Sequence, residues 1–395
     1  MFNVFSIDGG VCAAEGFFAD SASAGLRPNG GDDVCAIYSD TLCDKAHVFT
    51  TNKMRAAPIQ HALSFAGTQT NFVLVNAKNA NAMTGEKGIE DIETILSALK
   101  EKNPQIQNPL MSSTGVIGVP LNKEAIRNAA LSLDLTKKNA NDAARAIMTT
   151  DRYEKEIAFK VELENGEVFH IGAMAKGAGM IDPSMATMLC FITTDADVSA
   201  QQMQEHLDSI TKKTFNAISV DGDTSTNDTV LLLSNKKSGA YDSNAFAFAL
   251  EKVMEHLALL MVKDGEGAKK LIAYRVSGAK DDEEAEICAK ALSNSLLVKT
   301  AMFGEDPNWG RIASTVGASG VECEELKLQI SFEDITVYDR GTILFGKDQE
   351  EKAAQIMKRD EFSVYCDLGI GEGSFVAYGC DLGHEYVTIN ADYRT

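Results

Sequence analysis

The pattern in the middle of the chain constrains the fold most strongly. Apolar and polar residues alternate over residues 157–163, Asn165-Gly166 follows, and apolar residues return over 168–171. A period of two sends successive side chains to opposite faces of a strand, and Asn-Gly favours the type I′ turn that joins antiparallel strands. The sequence therefore predicts a β-hairpin, and any fold for this chain must accommodate a sheet here.

Helical and strand patterns alternate over the rest of the chain. Helices are indicated by apolar residues spaced three and four apart, and their starts by Ser or Asn at N-cap positions. Two helices are predicted over 90–102 and 243–261. Three more are predicted to begin after the caps Asn122, Asn141 and Ser199, and another to open on the acidic run 281–284. Further strands are predicted at 190–193, 230–233, 326–330 and 375–378, and Trp309 is predicted to anchor a loop. This alternation predicts a mixed α/β (α+β) fold whose halves meet near residue 187.

Charge excludes one large class of function. The chain has 395 residues, 37 Lys and Arg against 57 Asp and Glu, and a net charge of −20. Nucleic-acid binding draws most of its affinity from basic residues, and an anionic membrane surface repels a strongly acidic protein. We therefore expect neither nucleic acid nor membrane as a partner.

Cysteine and histidine usage bears on location and on metals. The eight cysteines never form a C-x-x-C pair, and the six histidines show no H-x-x-x-H spacing. No basic, apolar leader opens the sequence, and no run approaches the ~20 apolar residues of a membrane span. We expect a cytoplasmic protein with reduced, mostly buried thiols and no metal site.

Residues 174–189 fit neither the helical nor the strand period. Gly177-Ala178-Gly179 lacks the third glycine of a dinucleotide fingerprint and the Gly-Lys-Ser/Thr of a Walker loop. A glycine pair that only lets a loop turn is the commonest alternative. The neighbouring Lys176 and the small-residue step Ala186-Thr187 suit another chemistry, in which Thr187 attacks the carbonyl of Ala186 and becomes a new N-terminus. Its α-amine, which titrates near ~8, then serves as base to its own hydroxyl.

This stretch resembles the self-cleavage signature of the ornithine acetyltransferase (glutamate N-acetyltransferase) family of arginine biosynthesis. Further blocks resemble that family in the same order along nearly the whole chain. They lie at 9–11, 49–52, 113–118, 148–151, 219–229, 264–268, 303–311 and 390–395.

The resemblance implies an activity and a set of roles. Acetyl would pass from N2-acetyl-L-ornithine to L-glutamate by a ping-pong route through acetyl-Thr187, after the Ala186–Thr187 bond is cut. Thr114 and Gly115 would form the oxyanion hole. The residues implied to contact substrate are Thr150, Lys176, Thr187, Glu266, Asn390 and Thr395; for Thr150, the adjacent Thr149 is an alternative.

The resemblance also implies how the product assembles. Fragments 1–186 and 187–395 would stay entwined and associate as α2β2, with no cofactor. Acetyl-CoA would be a second acetyl donor if the enzyme is bifunctional. Charge fits the substrates, because Lys176 can offset a carboxylate and Glu266 can pair with the ornithine amine.

Other interpretations remain open from the residues alone. Without their motifs, Lys176 and Glu266 would be read as solvated surface groups. The acidic segment 221–228 fails the calcium-loop pattern at its sixth and twelfth positions, so a polar active-site wall or an ordinary turn is expected. An amidase or aminopeptidase with the same nucleophile, or an uncleaved binding protein in which Thr187 packs, are the alternative functions.

Overall fold

Two β-sheets with helices packed on them make up the protein. The computed structural model describes residues 1–65, 67–182 and 188–392. The cleavage-site residues Ala186 and Thr187 and the terminal Thr395 therefore lie outside the described residues. The fold class predicted from the sequence, mixed α/β, is confirmed.

Sixteen strands are found in the described part of the chain. In chain order they are β1 (Phe2–Ile7), β2 (Phe17–Ala22), β3 (Val34–Phe49), β4 (Gln69–Asn76), β5 (Leu110–Ser113), β6 (Lys155–Leu163), β7 (Val168–Lys176), β8 (Leu189–Thr194), β9 (Ile218–Ser219), β10 (Thr229–Ser234), β11 (Leu271–Ala279), β12 (Gln329–Phe332), β13 (Ile335–Asp339), β14 (Thr342–Ile343), β15 (Glu361–Asp367) and β16 (Gly373–Cys380).

The same part of the chain contains eleven α-helices. They are α1 (Ala57–Ser64), α2 (Gly85–Lys102), α3 (Lys123–Ser132), α4 (Ala140–Ala146), α5 (Ala200–Lys213), α6 (Ser243–Lys263), α7 (Asp282–Asn294), α8 (Leu296–Phe303), α9 (Trp309–Ala318), α10 (Lys347–Met357) and α11 (His384–Asp392). None of these helices is long and apolar enough to cross a bilayer.

The first sheet has the strand order β1-β6-β7-β8-β10-β3-β4-β5, and β2 pairs beside β3. Strands β8 and β10 run parallel, whereas β7 is antiparallel to β8. All six residues of β8 are buried, which explains why the sequence there reads as a continuous apolar run rather than an alternation. This arrangement places the end of β7 next to the starts of β8 and β10.

Helices α5 and α6 cover one face of this sheet. Phe246, Leu250, Val253, Leu257 and Met261 of α6 are fully buried against it. Each such side chain contributes roughly 1.5–3 kcal/mol when it leaves water. Helix α6 also contacts β11 and β16 of the second sheet, so it joins the two halves of the core.

The second sheet has the order β14-β13-β12-β15-β11-β16-β9. Its core cluster includes apolar residues of α7, α8, α9 and α10. Strand β9 lies in this sheet although its neighbours in sequence, β8 and β10, belong to the first. The chain therefore passes between the sheets around residues 218–229, and the functional cavity lies at this passage.

The hairpin is confirmed as β6 and β7, but its predicted turn type is wrong. Asn165 does not take the positive φ that a type I′ turn requires, whereas Gly166 has φ 84°. The Gly166 N–H donates to the Leu163 carbonyl, and the Leu163 N–H donates to the Glu167 carbonyl. This is the three-residue loop in which a type I turn is followed by a left-handed residue, with Gly supplying the latter.

Helix starts were predicted correctly at Asn122 and Ser199, which cap α3 and α5 with their side chains. The predicted cap Asn141 is wrong: α4 begins at Ala140, so Asn141 lies in its first turn, where its side-chain amide donates to Glu154 and Glu156.

Two further predictions in the second half need correction. The strand predicted from residue 326 begins only at Gln329, because residues 324–328 form a hydrogen-bonded turn. Trp309 does not anchor a loop but begins α9, where it stacks on Tyr338 with the ring centroids 5.2 Å apart.

Candidate active site

A cavity of about 150 Å³ lies at the passage between the sheets. Seven segments that are distant from one another in sequence contribute its walls. The lining residues are Ala80, Thr114, Gly115, Ile117, Thr149, Thr150, Lys176, Gly179, Met180, Asp221, Asp223, Ser225, Asn227, Glu266, Tyr386 and Asn390. All six predicted site residues that the structure describes, Thr114, Gly115, Thr150, Lys176, Glu266 and Asn390, are therefore brought together.

Thr114 and Gly115 follow directly from β5. The Thr114 N–H donates to Asn76 at the end of β4, which fixes the turn. Gly115 has φ 132°, and a Cβ there would collide with the Lys78 backbone, so only glycine fits. Among the described residues, no acceptor is bonded to the Gly115 N–H.

Lys176 ends β7 and is almost fully buried. Its Nζ donates to the Thr114 hydroxyl oxygen at 3.3 Å. Because an ammonium can only donate, the hydroxyl hydrogen of Thr114 is directed elsewhere and can donate in turn. The Thr114 O–H and the Gly115 N–H are thus two neighbouring donors at the cavity, which is the arrangement that stabilises an oxyanion.

The charge of Lys176 depends on its neighbours. Burial lowers the pKa of this ammonium, and the Asp151 carboxylate opposes that effect by favouring the charged form. Burial would raise the pKa of Asp151, but Lys176 and Lys155 together hold it at about 2. Asp151 is therefore an anion at neutral pH and stabilises a cationic Lys176.

A buried ionic network behind the cavity joins three of its walls. Lys155 Nζ lies 2.8 Å from Asp151 and 2.5 Å from Asp264, and all three side chains are fully buried. Asp151 also accepts from the N–H groups of Thr149, at 3.0 Å, and Gly177, at 2.7 Å. We call Asp151, Lys155 and Asp264 the buried ion triad. It fixes the 149–151 loop, the end of β7 and the loop that carries Glu266.

Glu266 lies on the opposite wall, after the C-terminal end of α6. Its N–H donates to the Ala178 carbonyl at 2.8 Å, and its carboxylate accepts from the Asn390 side-chain amide at 2.7 Å. A Cβ on Gly179 would occupy the position of the Glu266 carboxylate. The second glycine of Gly177-Ala178-Gly179 is therefore needed for close approach, and no phosphate loop is formed.

The acidic segment 221–228 forms a further wall, which confirms the polar-wall interpretation over that of an ordinary turn. Both Asp221 oxygens accept backbone N–H groups, from Met180 at 2.6 Å and from Ile181 at 2.8 Å. The Tyr386 hydroxyl of α11 lies 3.3 Å from Asp221. Burial, together with the nearby Asp221 carboxylate, raises the pKa of Tyr386, so this phenol is neutral at physiological pH.

Met188, the residue after Thr187 in the chain, is held at the start of β10. Its N–H donates to the Asp228 carboxylate at 2.9 Å, and its carbonyl accepts from the Thr229 N–H at 3.1 Å. Asp228 is fully buried, and burial raises its pKa well above the usual range. A buried carboxyl group whose ionisation is disfavoured by burial therefore holds the backbone of Met188.

Sequence reasoning named neither Lys155 nor Tyr386, and it included Asp151, Asp264 and Asp223 only within longer segments, without individual roles. Asp151 and Lys155 are four residues apart but lie in a loop and a strand, so no helical pairing pattern revealed them. Tyr386 lies on a short helix without buried residues, which gives no apolar periodicity. For Asp223, the recognised block 219–229 was the available signal.

The comparisons with known proteins show which family the chain belongs to. Residues 18–395 match the model of the ArgJ family. The chain belongs to the ArgJ family. The resemblance seen in the sequence is thereby confirmed, and the protein is an enzyme, an acyltransferase of arginine biosynthesis.

Individual relatives cover the whole chain. The chain is 61% identical over 396 residues to the "Arginine biosynthesis bifunctional protein ArgJ" of Wolinella succinogenes, with 100% of each chain covered. It is 40% identical over 401 residues to the "Glutamate N-acetyltransferase" of Methanothermobacter thermautotrophicus, with 98% of each covered. A solved ArgJ structure from Bacillus halodurans is 39% identical, with a TM-score of 0.48, and its match covers 51% of this chain and 97% of that one.

Proposed function

We propose that this enzyme transfers acetyl from N2-acetyl-L-ornithine to L-glutamate through an acetyl ester on Thr187. The observation that supports this proposal is the pair of hydrogen-bond donors on Thr114 and Gly115 beside the buried Lys176. The same cavity also contains Glu266 and Asn390. Acyl transfer needs donors for an oxyanion and charged groups that orient an amino acid, and this cavity holds both.

Self-cleavage comes first in the proposal. The Thr187 hydroxyl oxygen bonds to the Ala186 carbonyl carbon, the C–N bond breaks, and the nitrogen leaves as the Thr187 α-amine. Water then hydrolyses the resulting ester, so that one fragment ends at Ala186 and the other begins at Thr187. The α-amine becomes the base for the hydroxyl, since its pKa lies near ~8.

Transfer then takes place in two half-reactions. In the first, the Thr187 hydroxyl attacks the acetyl carbonyl of acetylornithine, the α-amine accepts its proton, and ornithine leaves after its nitrogen takes that proton. In the second, the glutamate amine attacks the acetyl ester and restores the hydroxyl. Thr114 and Gly115 donate to the oxyanion in both, which is worth about 2.7–4 kcal/mol for one such donor.

Substrate contacts follow from the cavity walls. Lys176 pairs with the α-carboxylate that both amino acids share. Glu266, oriented by Asn390, pairs with the ornithine amine. Thr150 adds a hydroxyl, and Thr149, also in the lining, is the alternative. We keep Thr187 and Thr395 in the proposed substrate-binding set on the resemblance alone.

The proposal extends to assembly and location. Regions 1–186 and 187–395 are the two products of one precursor, remain entwined and associate as α2β2 in the cytoplasm, and no cofactor takes part. We include acetyl-CoA as a second acetyl donor, since the Wolinella succinogenes relative is named bifunctional. Formation of acetylglutamate from acetyl-CoA and glutamate, without acetylornithine, tests that extension.

Denaturing electrophoresis tests the nucleophile. Wild type should give two fragments, the larger of which, 187–395, starts at Thr187 by N-terminal sequencing. Thr187→Ala should give one full-length band and no transfer. A single full-length band for both proteins would contradict the mechanism of self-cleavage at Thr187. Incubation of the wild type with acetylornithine, with and without glutamate, separates transfer from amide hydrolysis: free acetate in place of acetylglutamate would favour the amidase alternative.

A further inference from the structure

The charges that line the cavity are unequal in number. Among the described lining residues, Lys176 is the one cation, whereas Asp221, Asp223 and Glu266 are carboxylates. If Lys176 binds the α-carboxylate, as in the proposed function, the substrate side chain meets a wall on which only negative groups remain. That wall distinguishes the two substrates, since acetylornithine carries an ammonium at its end and glutamate a carboxylate.

The three carboxylates differ in their existing bonds. Asp221 accepts three backbone N–H groups through its two oxygens, and Glu266 accepts from the Asn390 amide. By contrast, Asp223 is exposed, and within residues 1–65, 67–182 and 188–392 no N–H, O–H or ammonium group bonds to its carboxylate. Asp223 therefore has its full capacity to accept hydrogen bonds from a ligand.

The backbone of Asp223 is nevertheless fixed. Its N–H donates to the Asp221 carboxylate at 3.3 Å, and its carbonyl accepts from the Asp182 N–H at 3.0 Å. The preceding Gly222 has φ 81°, a conformation that turns the chain at this point and suits glycine. An exposed carboxylate without a protein donor, carried on a fixed backbone at the cavity, is available to a cation.

We propose that Asp223 is a specificity-determining residue that attracts the side-chain ammonium of acetylornithine and repels the side-chain carboxylate of glutamate. This inference rests on the proposed function, because it assumes that both amino acids place their α-nitrogen beside the Thr187 hydroxyl oxygen, which carries the acetyl group. The two side chains then lie along the same wall. Asp223 favours the donor half-reaction at the expense of the acceptor half-reaction.

Steady-state kinetics of Asp223→Asn tests the proposal. In a ping-pong route, kcat/KM for acetylornithine reports only the first half-reaction and kcat/KM for glutamate only the second. We expect the first to fall about fivefold and the second to rise about two- to fivefold, the size of a partly exposed charge pair. High salt should shrink both changes, because solvent ions screen this pair.

Two further variants serve as controls. Asp223→Glu keeps the charge and should keep both values within about twofold of wild type. Glu351→Gln removes an equally negative but well exposed group on α10 and should change neither value. If Asp223→Asn is too slow to assay, calorimetric titration with ornithine and with glutamate should show the same opposite shifts in Kd.

The results separate this inference from the proposed function. Equal falls in both kcat/KM values, or no change in either, would overturn the role of Asp223 while leaving acetyl transfer intact. Absence of acetyl transfer in the wild type would overturn the proposed function itself. A merely structural role for Asp223 cannot change the kcat/KM values for the two substrates in opposite directions.

Discussion

Replacing Lys155 by methionine should destabilise the protein strongly. Lys155 is fully buried and bridges two fully buried carboxylates, at 2.8 Å to Asp151 and 2.5 Å to Asp264. Methionine has a similar length and no charge, so it fills the space but leaves two carboxylates without their shared cation. Arg152 still pairs with Asp264 at 2.9 Å, whereas Asp151 keeps only its N–H donors and the field of Lys176.

The magnitude can be worked out in two ways. Removing one partner of a buried ion pair typically costs about 3–5 kcal/mol of the free energy of unfolding. Independently, the pKa of Asp151 lies at about 2 instead of 3.8 because Lys176 and Lys155 outweigh the opposing effect of burial. That depression corresponds to about 2 kcal/mol for this one carboxylate. We therefore expect a loss of about 3 kcal/mol.

The pH dependence has a definite sign. A carboxyl group with a depressed pKa in the folded state contributes stability that is complete above its unfolded pKa and is lost as the pH falls through the folded pKa. Wild type should thus lose the Asp151 contribution between about pH 4 and pH 2. The variant has less of this contribution to lose, so the difference between the two proteins should narrow over the same interval.

Urea unfolding followed by circular dichroism measures the effect, in a Thr187→Ala background that keeps both proteins uncleaved. The matched control is Lys213→Met, which breaks a 2.6 Å ion pair with Glu251 whose side chains are 53% and 37% exposed. It should cost no more than about 1 kcal/mol. Equal, small losses for both variants would refute the reasoning that the triad holds the cavity walls together.

Two more predictions concern the oxyanion donors and the support of the nucleophile. Gly115→Ala should lower kcat about 100-fold or more, because the new Cβ meets the Lys78 backbone and displaces the N–H donor; Gly118→Ala, also at positive φ but facing open space, should leave kcat within about threefold. Asp228→Asn should unfold with a flatter pH dependence above about pH 4, measured in urea in the same Thr187→Ala background. The raised pKa of Asp228 makes folded wild type lose stability as the pH rises, and asparagine cannot ionise. Parallel pH profiles for the two proteins would contradict this.

Much of the fold could be predicted from local sequence patterns. Ser199 capped α5 as predicted, and the alternation over 157–171 gave β6 and β7, because both signals depend on neighbours within a few residues. The predicted Asn141 cap was wrong: Asn141 lies in the first turn of α4, and its side-chain amide donates to Glu154, just before β6, and to Glu156 on β6. The order of strands, with β10 between β8 and β3, depends on distant pairing that no local period records.

The candidate site divides in the same way. Thr114, Gly115, Lys176, Glu266 and Asn390 were named from ordered family blocks, and the structure brings them to one cavity. The buried ion triad that supports them could not be predicted. Lys155 has the sequence pattern of an ordinary strand lysine, and its partner Asp264 lies 109 residues away in the chain. Residues that act through other residues leave weak sequence signals, because their chemistry is set by tertiary contact.

The most direct test of acetyl transfer through Thr187 is mass spectrometry of the enzyme after incubation with acetylornithine in the absence of glutamate. The account predicts one added acetyl group on the fragment that begins at Thr187, located on that residue by peptide fragmentation, and its loss when glutamate is added, with equimolar acetylglutamate formed. An unmodified fragment under conditions in which acetylglutamate is still produced would contradict a covalent route through Thr187.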